Sequence, residues 1–282
     1  MNEKIRELVK NSAFYSMLDI LHRPEFHMND ALLAKYSKDI VEPHYRNGGN
    51  KNIFAKLIKH EEYQYCVYWR KFDIQLVQRS LAKLRFANYG ITQYDSCCLN
   101  HTPGLGNNPR QIVDDIYIAP NSREVSFSDQ EASAVKLSRY YDIFKTLKPV
   151  WVQFRVGFCE AYFHYIAECG LKIPDELKYI ELIISCNDEY KKSFEFCNYI
   201  NSTFADKNIT IARVFDDDVL LYYAYESAKG SYNFLEDIIF VEVLPSRNNN
   251  QTIFATNLTN VICPIIRYPL NNYANIRMEN TP

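Results

Sequence analysis

The sequence predicts an α+β fold, a mainly helical N-terminal region followed by a mixed or antiparallel sheet flanked by long helices. Three observations predict it. Apolar residues between positions 3 and 22 step at helical spacing. Those from Lys178 to Tyr223 change period twice, reading strand, helix, strand, strand. Residues 112 to 156 repeat the order strand, helix, strand. The organisation drawn from this is a helical region over 1–88 and an α+β domain over 89–282, or one continuous domain.

The elements follow in order. Ile5, Leu8, Val9, Phe14, Met17, Leu18 and Leu21 share one side of an N-terminal helix that Pro24 closes. A second helix starts after Asn29-Asp30, and Arg46 to Asn50 is a loop. Residues 52 to 59 read as helical. Tyr65, Val67 and Trp69 alternate like a strand, whereas Ile74, Val77, Leu81 and Leu84 step like a helix. Residues 89 to 110 show no period, and the glycines of Thr102 to Pro109 precede a proline and a strand, so a plain connector is expected rather than a phosphate loop. Ile112 to Ala119 is a strand, and Ser128 with Glu131 forms a capping box for a helix ending at Leu147. Val150 to Val156 is a strand, and Phe158 to Cys169 fits strand or helix. Tyr179 to Ile184 is a strand, and Asn187 or Asp188 caps a helix whose packed face carries Tyr190, Phe194, Cys197, Asn201 and Phe204. Ile209 to Val214 and Val219 to Tyr223 are strands joined by Asp216-Asp217-Asp218. Strands at Ile238 to Leu244 and Thr252 to Thr256 precede a polar tail that wraps or frays beyond Pro264.

Composition excludes several functions. The net charge of −2 supplies no field for nucleic acid. No GxGxxG or GxxxxGK[ST] motif occurs, no apolar run would cross a membrane, and the charged N-terminus is unlike a signal peptide, so a cytoplasmic protein is expected. None of the eight cysteines forms a CxxC, which points to reduced, buried thiols and to no metal centre. No cofactor is expected.

Arg155, central in an aromatic strand, calls for an anionic ligand or for an internal pair with Glu160 or Glu181. Arg213 reads as a second cation over the same cleft, or as a partner of Asp216. His164 has the pKa range for proton transfer, though a histidine among Tyr162, Phe163 and Tyr165 equally suits packing. The three aspartates at 216 to 218 could chelate magnesium or form a solvated turn.

This order of features resembles the HopA type III effector family and the related phospho-Ser/Thr lyases of class V lanthipeptide and thioamitide maturation. Tyr36 and His44-Tyr45, Phe154-Arg155, Tyr162-Phe163, Tyr179 to Val214, Asp217 and Tyr222, Glu242 with Pro245, and Phe254-Ala255 carry the likeness. Arginines stand at 155 and 213 where the family has lysines, Phe215 replaces an arginine, and a later His and Arg are absent. The resemblance implies a peptide-modifying lyase that eliminates phosphate from phosphorylated Ser or Thr. His164, Arg155 and Arg213 would be catalytic, and Tyr162, Tyr179, Tyr222 and Glu242 would bind substrate. Partners would be a peptide or protein substrate and a kinase or other maturation subunit, with no nucleic acid or membrane; an effector-like member would leave through a dedicated secretion system. The alternative is a non-catalytic peptide- or protein-binding module.

Overall fold

The computed structural model describes residues 3–18, 26–36, 39–41, 53–59, 62–92, 94–101, 124–128, 133–217, 219–226, 232–245 and 251–270. Their helices are α1 (Glu3–Asn11), α2 (Ala13–Met17), α3 (Asp30–Tyr36), α4 (Lys71–Tyr89), α5 (Ala134–Leu147), α6 (Val156–Glu168) and α7 (Asn187–Thr203). The strands are β1 (Ile53–Lys59), β2 (Gln64–Arg70), β3 (Cys97–His101), β4 (Glu124–Ser128), β5 (Trp151–Arg155), β6 (Tyr179–Ile184), β7 (Thr210–Asp217), β8 (Leu221–Glu226), β9 (Tyr232–Phe234), β10 (Ile239–Pro245), β11 (Gln251–Asn257) and β12 (Tyr268–Pro269). The fold is α+β, and its main sheet is mixed. Seven strands lie in the order β4-β3-β5-β6-β7-β8-β9; β4 to β7 run parallel, and β8 and β9 are antiparallel additions. β1 and β2 form a separate hairpin, and β10 to β12 a three-stranded sheet.

Register fixes the faces of the main sheet, because side chains in one cross-strand row point the same way. One face presents Trp151, Gln153, Arg155, Glu181, Ile183 and Val214, and the other Phe154, Leu182 and Arg213. α4 covers the first. Its Arg85 donates to Glu181 through Nε–Oε1 at 2.8 Å and Nη2–Oε2 at 2.7 Å, and lies 4.8 Å over the Trp151 ring. Gln153 donates to the same carboxylate at 2.8 Å. α5, α6 and α7 cover the second face, where Phe154 meets Phe158 and Tyr162 edge-on at 5.1 and 5.9 Å and Tyr162 meets Phe144 at 5.6 Å.

Several expected elements differ. Residues 53 to 59 are a strand, since Tyr65, Val67 and Trp69 bury one face of β2 and its hydrogen-bonding edge takes β1 as partner. Residues 156 to 168 are helical. α5 begins after Ser133, not at a capping box on Ser128, which ends β4. α7 begins after Cys186 and buries Ser193, Phe196 and Ile200, so its packed face is rotated from the expected one and Phe194 is 46% exposed. Asp216 and Asp217 belong to β7; the Asp217 carboxylate accepts from the Val219 and Leu220 N–H groups at 2.7 and 3.1 Å, closing the turn. From 265 to 270 the chain is buried: Ile265, Ile266, Arg267 and Tyr268 pack inward, Tyr15 Oη donates to the Pro264 carbonyl at 2.7 Å, and Met28 N–H donates to that of Ile266 at 3.1 Å, while the rest of the expected tail lies outside the described residues. The expected loops at 46–50 and 102–110 and the strand at 112–119 lie outside the described residues.

Two outcomes follow from this packing. Arg85→Met leaves the Glu181 carboxylate buried without its cation and should cost about 3–5 kcal/mol in urea unfolding, whereas Lys83→Met, at an exposed pair with Asp237, should cost under about 1 kcal/mol. Burial also pushes up the Tyr15, Tyr162 and Tyr225 phenols and the Cys159 thiol, and moves the Cys263 thiol to about 12. Folded pKa values above the unfolded ones leave stability complete below the unfolded values and remove it as pH rises through the folded ones. The melting temperature should therefore fall steadily above about pH 9, with the tyrosinate absorbance of the buried phenols appearing only together with the loss of circular dichroism. Ionisation of every tyrosine in a chain that keeps its full dichroism would contradict the burial.

Candidate functional site

The parallel strands end together at one edge of the main sheet, and the polar side chains there come from three consecutive parallel strands. Arg155 is the last residue of β5 and the N-cap of α6. Ser185 follows β6, and Asp216 lies near the end of β7, just past a register shift between Phe215 and Asp216. Glu189 stands in the first turn of α7.

These four groups form a hydrogen-bonded cluster. Arg155 Nη1 donates to Ser185 Oγ at 3.1 Å. Ser185 Oγ donates to Asp216 Oδ1, and Ser185 N–H donates to Glu189 Oε2 at 2.6 Å. The guanidinium also lies 4.0 Å from Glu189 Oε1 and 4.0 Å from Asp216 Oδ2. Side-chain exposure is 20% for Arg155, 26% for Glu189 and nil for Asp216. The cluster thus offers a half-buried donor and a half-buried acceptor over a fully buried carboxylate. It can take up a ligand by charge and hydrogen bonding.

Elsewhere, within reach of the Asp217 charge, Asp30 Oδ1 accepts from Tyr65 Oη at 2.6 Å and Tyr268 Oη at 2.8 Å, tying α3, β2 and β12 together. Burial, followed by the Asp30 carboxylate for Tyr65 and the Asp217 carboxylate for Tyr268, holds both phenols well above the ordinary tyrosine range. Leu221, at the start of β8, has φ of 63°, a left-handed conformation uncommon for a branched residue, so the β7–β8 turn beside the cluster is strained. Among the described residues no group of three or more His, Cys, Asp and Glu is arranged to hold a metal ion. A groove of about 420 Å³ between α1 and the segment after β11 is lined by Lys4, Glu7, Asn11, Asp237 and Thr259, none of which belongs to the strand ends.

The other residues singled out in the sequence are dispersed. Arg213 lies on the opposite face of the sheet from Arg155, since Arg155 shares a row with Ile183 and Val214 while Arg213 pairs with Leu182. Its Nη1 donates to Glu226 at 2.7 Å, its Nε donates to Ser193 Oγ at 2.5 Å, and Phe194 covers it at 4.1 Å. It does not share a cleft with Arg155, and its carboxylate is Glu226 rather than Asp216. Arg155 in turn meets Ser185, Glu189 and Asp216, while Glu181 belongs to Arg85. His164 packs on Tyr199 at 4.0 Å, eight residues on from the first residue of α6 and about 12 Å along it. Tyr162 is buried between Phe158 and Phe163. Tyr179, at the opposite end of β6 from the cluster, donates to the Tyr89 carbonyl at 2.8 Å. Tyr222 is fully buried on β8, and Glu242 is held bidentately by Arg267 at 2.8 and 2.9 Å in the three-stranded sheet. Ser185 and Glu189 were not singled out from sequence. Their signal is position: the first residues past a buried strand and at the start of the next helix lie where open parallel sheets bind ligands.

The chain matches no known family model and no curated protein. Its fold does match solved structures. A 2-hydroxyisobutyryl-CoA ligase in the postadenylation state, in complex with 2-HIB-AMP, superposes with a TM-score of 0.69 at 13% identity over 94% of this chain and 59% of that one. An open conformation of the ligase with 2-HIB-AMP and CoA gives 0.66 at 14% identity over 86% and 57%. The chain thus spans somewhat more than half the length of these proteins. The shared property is the fold.

That match overturns the expected kinship with HopA effectors and phospho-Ser/Thr lyases, and with it the elimination of phosphate and the effector-like or maturation roles. The physical reason is visible in the sheet. The order strand, helix, strand is common to many folds, and here it builds parallel crossovers whose register separates the two arginines that the likeness brings together.

The two arginines should respond differently to removal. Arg213→Met leaves Glu226 buried and unpaired and should cost about 3–5 kcal/mol. Arg155→Met, at a partly solvated position, should cost about 1–2 kcal/mol in the same denaturant titration. Equal losses would mean that the cluster at the strand ends is as closed as the Arg213 site.

Proposed function

We propose that this chain is an adenylate-binding scaffold of the acyl-CoA ligase type, and that the nucleotide part of an acyl-adenylate sits at the carboxyl ends of β5, β6 and β7. The observation that carries the reading is the match over 94% of the chain to a ligase described with 2-HIB-AMP bound. The position of the polar cluster supports it, since ligands of open parallel sheets lie outside the carboxyl ends of the strands.

The chemistry of such a ligase has two displacements. A carboxylate oxygen attacks the α-phosphorus of ATP and the bond to pyrophosphate breaks, leaving an acyl-adenylate. A thiolate of coenzyme A then attacks the acyl carbon and AMP departs. Both steps demand that a scaffold hold the adenylate still while its bonds change, a matter of positioned donors and acceptors. In this chain Arg155 supplies the donor, Glu189 an accessible acceptor for a hydroxyl or amino group, and Asp216 with Ser185 keeps the guanidinium oriented.

The reading is tested by binding, because the chain spans 59% of the ligase it matches. Titration calorimetry with AMP and with an acyl-sulfamoyl adenosine, a stable mimic of the acyl-adenylate, should give saturable binding of the mimic. Arg155→Met should weaken it by about tenfold or more, the loss expected for a charged hydrogen bond. Tyr179→Phe, at the other end of β6, should leave it unchanged. Absence of binding by either compound, with the chain folded, would overturn the proposal.

A further inference from the structure

We infer that the groove between α1 and the segment after β11 is a second binding site, and that its ligand is a neutral sugar. The inference is independent of the adenylate reading.

The groove is preformed. One wall is α1 with the N-cap of α2, and the other is the segment 258–264. Asn257 folds that segment into a turn, its side-chain oxygen accepting from the Thr259 N–H, the Thr259 hydroxyl and the Asn260 N–H at 2.9, 3.0 and 3.0 Å. Asn260 then fastens it to β2, donating to the Tyr68 carbonyl at 2.8 Å and accepting from the Cys263 N–H at 3.1 Å. Tyr15, on α2, joins the two walls through the Pro264 carbonyl. A ligand entering a space held in this way meets little ordering cost. The volume, about 420 Å³, is in the range of small-molecule sites.

The lining selects the chemistry. Leu8, Leu258, Val261 and Pro264 supply apolar surface, of which Val261 keeps 39% exposed. Ser12, 2% exposed, accepts from the Tyr15 N–H at 3.4 Å, and among the described residues its hydroxyl proton meets no acceptor. The side chains of Asn11 and Glu7, both exposed, take part in no hydrogen bond among the described residues. An amide presents donor and acceptor side by side, a carboxylate accepts, and the serine hydroxyl donates. Neighbouring ring hydroxyls, each able to do both, answer such a set, and the C–H groups of the same ring meet the apolar residues. Charge adds nothing to this, because both signs line the groove: Lys4 and Glu7 are one turn apart on α1, and Asp237 is already held by Lys83 at 2.5 Å. A charged ligand would lose hydration without gaining an unopposed partner. A neutral one loses least.

Saturation-transfer NMR on the full chain, with glucose, galactose, mannose, maltose and lactose as probes, tests this. At least one should bind saturably, and more tightly than glucosamine or glucuronate, its cationic and anionic counterparts. Asn11→Ala should weaken that sugar by about three- to tenfold, the loss expected for hydrogen bonds between neutral groups. Val261→Trp, which fills the groove from an exposed position, should abolish binding, and Lys145→Met on the exposed side of α5 should leave it unchanged. Circular dichroism confirms that each variant is folded, and the comparison of neutral with charged sugars needs no variant. The sugar site is overturned if none of the five binds, or if binding survives both groove substitutions. Tighter binding of glucosamine or glucuronate would overturn the preference for a neutral ligand.

Discussion

A carboxylate buried in the middle strand of a sheet cannot be left without a partner, and Glu181 on β6 is such a group. Its cation arrives from Arg85, 96 residues earlier in the chain, in a two-pronged contact that Gln153 completes from the neighbouring strand. The pairing draws α4 down onto one face of the sheet and seats its arginine over Trp151. Replacing such a group of polar residues by apolar ones of similar volume is often harmless elsewhere, so its worth here lies in specifying position more than in adding stability. α4 has one azimuth and one height at which the fork meets the carboxylate.

That constraint reaches the strand ends. Because Glu181 is taken, Arg155, two residues further along the same face of β5 than Gln153, turns to the groups beyond β6 and β7. Ser185, Glu189 and Asp216 receive it. The same logic operates on the other face, where Arg213 is held by Glu226 directly across the β7–β8 pair and covered by Phe194. One guanidinium is enclosed and structural, and the other stands half open at the edge where a parallel sheet presents its ligands. Two residues of the same kind, on strands separated only by β6, thereby acquire different chemistry from register alone.

Much of the fold was legible in the sequence, and the illegible parts have a common cause. The order from β6 through β8 could be read because each element carries its own period, and Tyr179–Ile184 is bounded as its apolar run suggests. β1 could not, because Ile53, Leu57 and Ile58 satisfy a helical spacing and become a strand only when β2 offers its edge. The buried face of α7 differs from the one its spacing predicts for a related reason: Phe194, apolar and helically spaced, caps a buried guanidinium from outside rather than entering the core. Arg155 could be recognised as a residue in need of partners, but Glu160 and Glu181 were sought close by in sequence or register, whereas its partners lie where three strands finish. Those contacts are non-local, and no single stretch encodes them.

The likeness to phospho-Ser/Thr lyases failed at the same level. It was assembled from residue types in sequence order, and order is preserved in any fold that alternates strands and helices. What distinguishes one such fold from another is which row of the sheet each residue occupies, and a single step along a strand exchanges the faces. Arg155 and Arg213 occupy rows of opposite parity. A cleft that needs both on one side is therefore forbidden by the pleat of the sheet, whatever the side-chain rotamers. A site built from Arg155, Ser185 and Asp216 needs only that β5, β6 and β7 end side by side, which their parallel pairing ensures.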